Sequence, residues 1–226
     1  MRVLAIDTAL AACSVAVFDS DANRILANQS LPMTRGHAEA LMPLVERVMA
    51  DAVTDFTGID RIAVTTGPGS FTGLRVGIAA ARGIALAAQK PAIGVTTLLA
   101  YAAPYQIEGR FPIIAVIDAR HDHVYFQVFA PGGRPRGEAR LAPLREAAEA
   151  AAATPARLVG SAAQAVAAAL PESGAVPVSV EPRLAPDIAW VARLGALSAE
   201  NASPPAPQYL RAPDAQPQYA AHLPRR

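Results

Sequence analysis

Two aspartates stand at the ends of short apolar runs, 111 residues apart: "LAID" closes on Asp7 and "AVID" on Asp118. Carboxylates at the C-terminal ends of two strands are placed to hold a hard cation and a polyphosphate when a cleft lies between them. A second candidate lies between the two in sequence. "TTGPGSFTGLRVG", Thr65 to Gly77, carries four glycines and one proline directly after an apolar stretch. A glycine-rich loop before a helix offers backbone N–H groups to an anion. The spacing excludes two such devices. A P-loop counted from Gly67 needs glycine where Thr72 stands, one counted from Gly69 needs it where Leu74 stands, and no lysine follows. The dinucleotide fingerprint counted from Gly67 fails at the same Thr72. Asp7 is followed by Thr8 and Ala9, and Asp118 by Ala119 and Arg120. The glycines that let a backbone close on phosphate are therefore missing after both carboxylates. The expectation is a vestigial cleft, framed by Asp7 and Asp118, with no cofactor of its own. Ser70 or Thr72 is expected to cap the helix that follows.

The histidines and serines carry no stronger chemistry. A helix binds metal through histidines four apart, and four residues after His37 comes Leu41. His121 and His123 flank Asp122 at an expected hairpin tip. No metal is expected at either place. Ser70 is the one well-placed serine, and no histidine can be nominated to activate it, which counts against a peptidase. Cys13 is the only cysteine, so there is no internal disulfide, and a reducing compartment fits best. "LAAC", Leu10 to Cys13, imitates a lipoprotein cleavage box, but Asp7 interrupts the apolar segment before it. No apolar run approaches the ~20 residues of a membrane helix. A cytoplasmic location and no membrane partner are expected.

The elements that position these residues follow from periodicity. "RVLAID", "CSVAVFD" and "RILANQSL" read as three strands. In "GHAEALMPLVERVMADA", Leu41, Leu44, Val45, Val48 and Met49 share a helical face. "RIAVTT" is a buried strand, "FTGLRVGIAAARGIALAAQ" a long helix, and "AIGV" and "TLLAYAA" a further strand and helix. "AIDTALAACSVAVFDSD" then matches "VIDARHDHVYFQVFAPG" without a gap, pairing Ile6 with Ile117, Asp7 with Asp118, Val17 with Val128 and Phe18 with Phe129. "RLVGSAAQAVAAAL" repeats the strand, small-residue loop and helix order of "RIAVTTGPGSFTGLRVGIA". Two copies of one βββαβα unit follow. The first occupies about residues 1–105. The second, smaller one occupies 106–226, with a last helix near 185–199 expected to return to the first unit and a proline-rich tail beyond. Duplicated units of this kind resemble the actin, sugar-kinase and Hsp70 superfamily, an α/β class.

Composition narrows the function. With 226 residues, 52% hydrophobic, the chain can bury a large core. Twenty basic against nineteen acidic residues give a net charge of +1 and no broad footprint for nucleic acid. Arg134, Arg136, Arg140, Arg225 and Arg226 are the local candidates for RNA contact. In the long helix Gly73, Gly77, Ala81 and Ala85 recur every four residues. Glycine inside a helix costs ~1 kcal/mol against alanine, so a close backbone contact is expected along this seam, with the chain's own sheet or with a partner.

"GPGSFTGLRVG", the opening "LAIDTA", "GHAEALMPLV", "VIDARHDHVY" and "PQYLR" (Pro207 to Arg211) together resemble the TsaB family, also called YeaZ, over nearly the whole chain. His123, where the family usually has an acidic residue, and Ala9, where serine is common, depart from the pattern. The resemblance implies a non-catalytic subunit in the making of threonylcarbamoyl-adenosine, beside the anticodon of tRNAs reading codons that begin with A. It implies a paralogous catalytic partner, TsaD, a small ATPase, TsaE, and tRNA as the substrate of the assembly, with ATP and metal on the partner subunits. It places the TsaD contact on the first two helices, here through Leu41, Leu44, Val48, Gly73, Leu74, Gly77 and Ala81. A seam of this kind can also pair with itself about a two-fold axis, so a homodimer is expected for the free chain. The other readings of the residues are a stand-alone ATP-dependent phosphotransferase and a glycoprotease-like peptidase.

Overall fold

The computed structural model describes residues 1–199 and 203–211. The β-branched runs near the N-terminus form β1 (Arg2–Asp7), β2 (Ala12–Asp19) and β3 (Arg24–Pro32). β4 (Arg61–Gly67) and β5 (Ala92–Thr96) complete a sheet of order β3-β2-β1-β4-β5. α1 (His37–Asp51) enters β4, α2 (Phe71–Ala88) enters β5, and α3 (Thr97–Gln106) leaves it. The second half repeats this plan with β6 (Ile113–Asp118), β7 (His123–Phe129), β8 (Arg140–Pro143), α4 (Leu144–Ala152), β9 (Arg157–Val159), α5 (Ala163–Ala168), β10 (Ser179–Glu181) and α6 (Ile188–Leu197). Its sheet order, β8-β7-β6-β9-β10, is that of the first sheet strand for strand. The first pair of strands is antiparallel and the crossovers are parallel in both. This is the duplicated βββαβα architecture of the actin-like superfamily, each copy extended by one strand and one helix.

The strand register corrects the ungapped sequence match. Val3 lies opposite Arg61, and its counterpart opposite Arg157 is Ile113. Asp7 therefore corresponds to Ile117, not to Asp118. The cores agree: Leu4 and Ile6 face α1 and α2, while Ile114 and Val116 face α4 and α5. The second hairpin absorbs the difference, so that Phe18 and Phe129 do correspond, opposite Val3 and Ile113. A slip of one residue turns a side chain to the other face of the sheet. That is why Asp7 is fully buried and Asp118 exposed.

The third helix of each unit covers the other unit's sheet. Ile188, Val191 and Ala192 of α6 pack on Val3, Ala5, Phe18 and Val95, while Leu98, Tyr101 and Ala102 of α3 pack on Ile113, Ile117 and Phe129. Gly195 permits the approach of α6, since a Cβ there would lie 2.4 Å from that of Ala63. The Arg61 guanidinium donates to the carbonyls of Gly195 and Ser198 at 3.0 and 2.8 Å, a cation at a helix C-terminus.

Candidate functional site

A cleft of about 670 Å³ lies between the two units, lined among others by Leu10, Pro68, Ser70, Asp118, Arg120 and Ser161. Asp7 is not in its wall. The Asp7 carboxylate is turned inward, where Oδ1 accepts from the Thr65 hydroxyl at 2.6 Å and from the Ala9 N–H at 2.9 Å. Oδ2 is buried without a hydrogen-bond partner. Burial holds this carboxyl above the ordinary carboxylate range, against the opposing pull of Thr65, Ala9 and His37. A carboxyl turned into the core, away from the cleft wall, does not reach a cation held in the cleft. Asp118 stands alone in the wall of the cleft, with one oxygen accepting from the Arg120 N–H at 2.8 Å. Gly160, the one glycine of the second unit's loop, is committed to packing, since a Cβ there would stand 2.1 Å from the Val116 carbonyl. The magnesium-nucleotide site of the superfamily does not fit these residues.

The glycine-rich loop holds the chain's own backbone in place of phosphate. Ser70 N–H donates to the Ala9 carbonyl at 2.7 Å, and the Ser70 hydroxyl caps α2 by accepting from Gly73 N–H at 3.3 Å. A Cβ on Gly73 would meet the Thr8 carbonyl oxygen at 2.1 Å, one on Gly69 the Ala9 carbonyl at 2.4 Å, and one on Gly77 the Thr8 hydroxyl at 2.4 Å. The β1–β2 loop thus lies against the N-terminal turns of α2. Thr8 completes the join by donating to the Gly73 carbonyl at 2.7 Å.

This geometry corrects the partner seam expected from sequence. Leu41, Leu44, Val48, Leu74 and Ala81 all lie in the core between α1, α2 and the first sheet, each no more than 1% exposed. Gly73 and Gly77 are buried against Thr8. Helical periodicity identified the buried stripe correctly but not what covers it, and the chain's own sheet covers it. The outward faces of the two helices are different residues: Met42, Glu46 and Arg47 on α1, and Arg75, Ala79, Arg82, Gly83, Leu86 and Ala87 on α2. Among the described residues nothing lies within 4 Å of the place a Cβ would take on Gly83. Leu86 is 82% exposed and Met42 49%.

The remaining candidates fall elsewhere. His37 is buried at the start of α1, with Nε2 3.1 Å from the Leu10 carbonyl oxygen. Arg120, His121 and Asp122 form the β6–β7 turn, all three at positive φ, and His123 opens β7 with Nδ1 2.6 Å from the His121 carbonyl. Arg140 pairs with Glu146 and stacks over Phe126. Arg225 and Arg226 lie outside the described residues. Sequence reasoning missed the role of the segment after α6. Pro205 packs by Gly94, Gln208 N–H donates to the Thr66 carbonyl at 2.7 Å, and Tyr209 lies on Phe71. The "PQYLR" motif quoted above was the available signal.

Comparison with known proteins gives this arrangement a family. The TsaD family model, described as tRNA N6-adenosine threonylcarbamoyltransferase, matches residues 24–184. The TsaB protein of Escherichia coli is 42% identical over 127 residues, which are 56% of this chain and 54% of that one. The chain thus spans about half the length of the curated TsaB relatives it matches. An uncharacterized protein of Mycobacterium bovis is 34% identical over 95% of this chain and 94% of its own. The solved structure of YeaZ from Pseudomonas aeruginosa superposes with a TM-score of 0.76 at 28% identity, covering 92% of this chain and 99% of that one. The chain belongs to the TsaB (YeaZ) family, within the wider TsaD family.

Proposed function

We propose that this chain is a non-catalytic subunit of the assembly that forms threonylcarbamoyl-adenosine in tRNA, and that it acts by docking a TsaD-family paralogue on the outward faces of α1 and α2. One observation carries the reading. α2 is long and apolar in composition, with Arg75 and Arg82 its only charged residues, yet its own sheet covers only one side. Its outward side therefore leaves Ala79, Gly83, Leu86 and Ala87 exposed beside the two arginines, an apolar area that a partner can bury. Gly83, which meets nothing among the described residues, leaves room for a close approach, and Met42 on α1 and Leu86 on α2 supply exposed apolar area. The inward turn of Asp7, out of the wall of the interunit cleft, supports a non-catalytic role. ATP and metal then belong to the partners, the TsaD-like paralogue and a TsaE-like ATPase, and tRNA is the substrate of the whole. In the absence of the paralogue the same face pairs two copies of this chain.

The test is reconstitution of threonylcarbamoyl-adenosine formation from purified components, with and without this chain. The expected result is that omission abolishes or strongly reduces the modified base and that addition of the chain restores it. Full activity without the chain would overturn the reading.

A further inference from the structure

The segment Ser203–Arg211 ties together three parts of the molecule that are far apart in sequence. Its backbone is fixed to the end of β4 by Gln208 N–H on Thr66 O at 2.7 Å. A Cβ on Gly67 would meet the Gln208 carbonyl at 2.9 Å, so this glycine is what lets the segment lie so close. Tyr209 is gripped from α2: its ring lies 5.0 Å from that of Phe71, its hydroxyl accepts from Arg75 Nε at 3.0 Å, and the Arg75 guanidinium sits 3.7 Å above Phe71. Two residues later, Arg211 Nη1 donates at 3.0 Å to the Ala119 carbonyl in the second unit. That carbonyl enters the turn in which Arg120, His121 and Asp122 are all left-handed, an arrangement that non-glycine residues hold only when their surroundings impose it. Gln208 to Arg211 also line the interunit cleft.

We infer that this segment is a strap that extends the docking face of α2 and carries docking into the cleft. Arg75 belongs both to the outward face of α2 and to the grip on Tyr209. A partner that covers Phe71 and Arg75 restrains Tyr209, which tightens the strap on Ala119 and narrows the motion between the units. The direction is fixed by chain connectivity, because only Leu210 separates the Tyr209 anchor from Arg211. The inference rests on the docking reading above, but its first consequence lies in the isolated chain.

The experiment is amide hydrogen exchange on the full chain, following the β6–β7 turn, where Ala119 N–H bonds to His123 O and His123 N–H to Arg120 O. In the isolated chain, Tyr209→Ala should speed exchange of these amides by roughly three- to tenfold, the loss of one exposed aromatic and cation contact. Arg211→Ala should do the same at the turn while leaving the Gln208 amide protected. Addition of the TsaD-family paralogue should slow exchange at the turn in the wild type but not in Tyr209→Ala, which still binds through α1 and α2. Unchanged turn exchange in isolated Tyr209→Ala would overturn the strap. Equal slowing by the paralogue with and without Tyr209 would overturn the coupling. A paralogue that fails to bind the wild type would sink the docking reading, and the coupling with it, while the isolated-chain arm still decides whether the strap exists.

Discussion

At the scale of single residues, the chemistry suggested by the sequence has been turned to structural use. Asp7 has the position of a ligand-binding carboxylate and the environment of a core residue. A carboxyl raised by burial binds its proton more tightly in the folded chain than in the unfolded one. Its contribution to stability is therefore full below the unfolded value near ~4 and declines as pH rises through the folded one. Asp7→Asn keeps the acceptor that Thr65 and Ala9 use and removes the titration. Its melting temperature relative to wild type should rise between about pH 4 and about pH 8. The same difference at both values would refute a raised carboxyl. The Cys13 thiol, fully buried and pushed up to about 11 by burial and by Asp7, should not react with a thiol reagent at neutral pH until the protein unfolds. Rapid labelling of the folded chain would contradict this. The glycines of α2 separate into two kinds. Gly73→Ala drives a methyl into the Thr8 carbonyl and should cost about 1–3 kcal/mol. Gly83→Ala meets only open space and should stabilise the free chain by about 1 kcal/mol, read from a denaturant titration.

At the scale of elements, much was legible and the limits are physical. The strands, the two amphipathic helices and the duplicated order follow from periods of two and 3.6 residues, which depend on local burial alone. The identity of what covers a buried face does not. Leu41 and Gly77 sit on stripes that a sheet or a partner would select equally, and periodicity cannot separate the two. The register of the second unit was misread for a related reason. "AID" and "VID" match as letters, but the β6–β7 hairpin holds one residue more between equivalent positions, accommodated by three left-handed residues that no glycine announces. The capping by Ser70 was legible because a side-chain acceptor before a helix is a local feature. The exchange of α3 and α6 carries a prediction at this scale. Gly195→Leu places several carbons against Ala63 at the α6–sheet contact and should lower stability by about 1–3 kcal/mol. A wild-type melting temperature would show that α6 is not packed as closely as described.

At the scale of the whole molecule, two units share one architecture, and each lends a helix to cover the other. The cleft between them lacks the Asp7 carboxylate, which is turned into the core, and the outward side of α1 and α2 exposes Met42 and Leu86. The central claim is that this side, and not the glycine seam facing the sheet, meets the TsaD-family paralogue. Gly83→Leu and Gly77→Leu separate the two faces when melting temperature and paralogue affinity are measured on the same preparations at one fixed concentration. Gly77→Leu should melt well below wild type, because its side chain has only the space held by Thr8 and Val64. Gly83→Leu should melt no lower than wild type while losing about ten- to a hundredfold in affinity for the paralogue, the effect of overpacking a close helix contact. A Gly83→Leu protein that binds the paralogue with wild-type affinity would contradict the account.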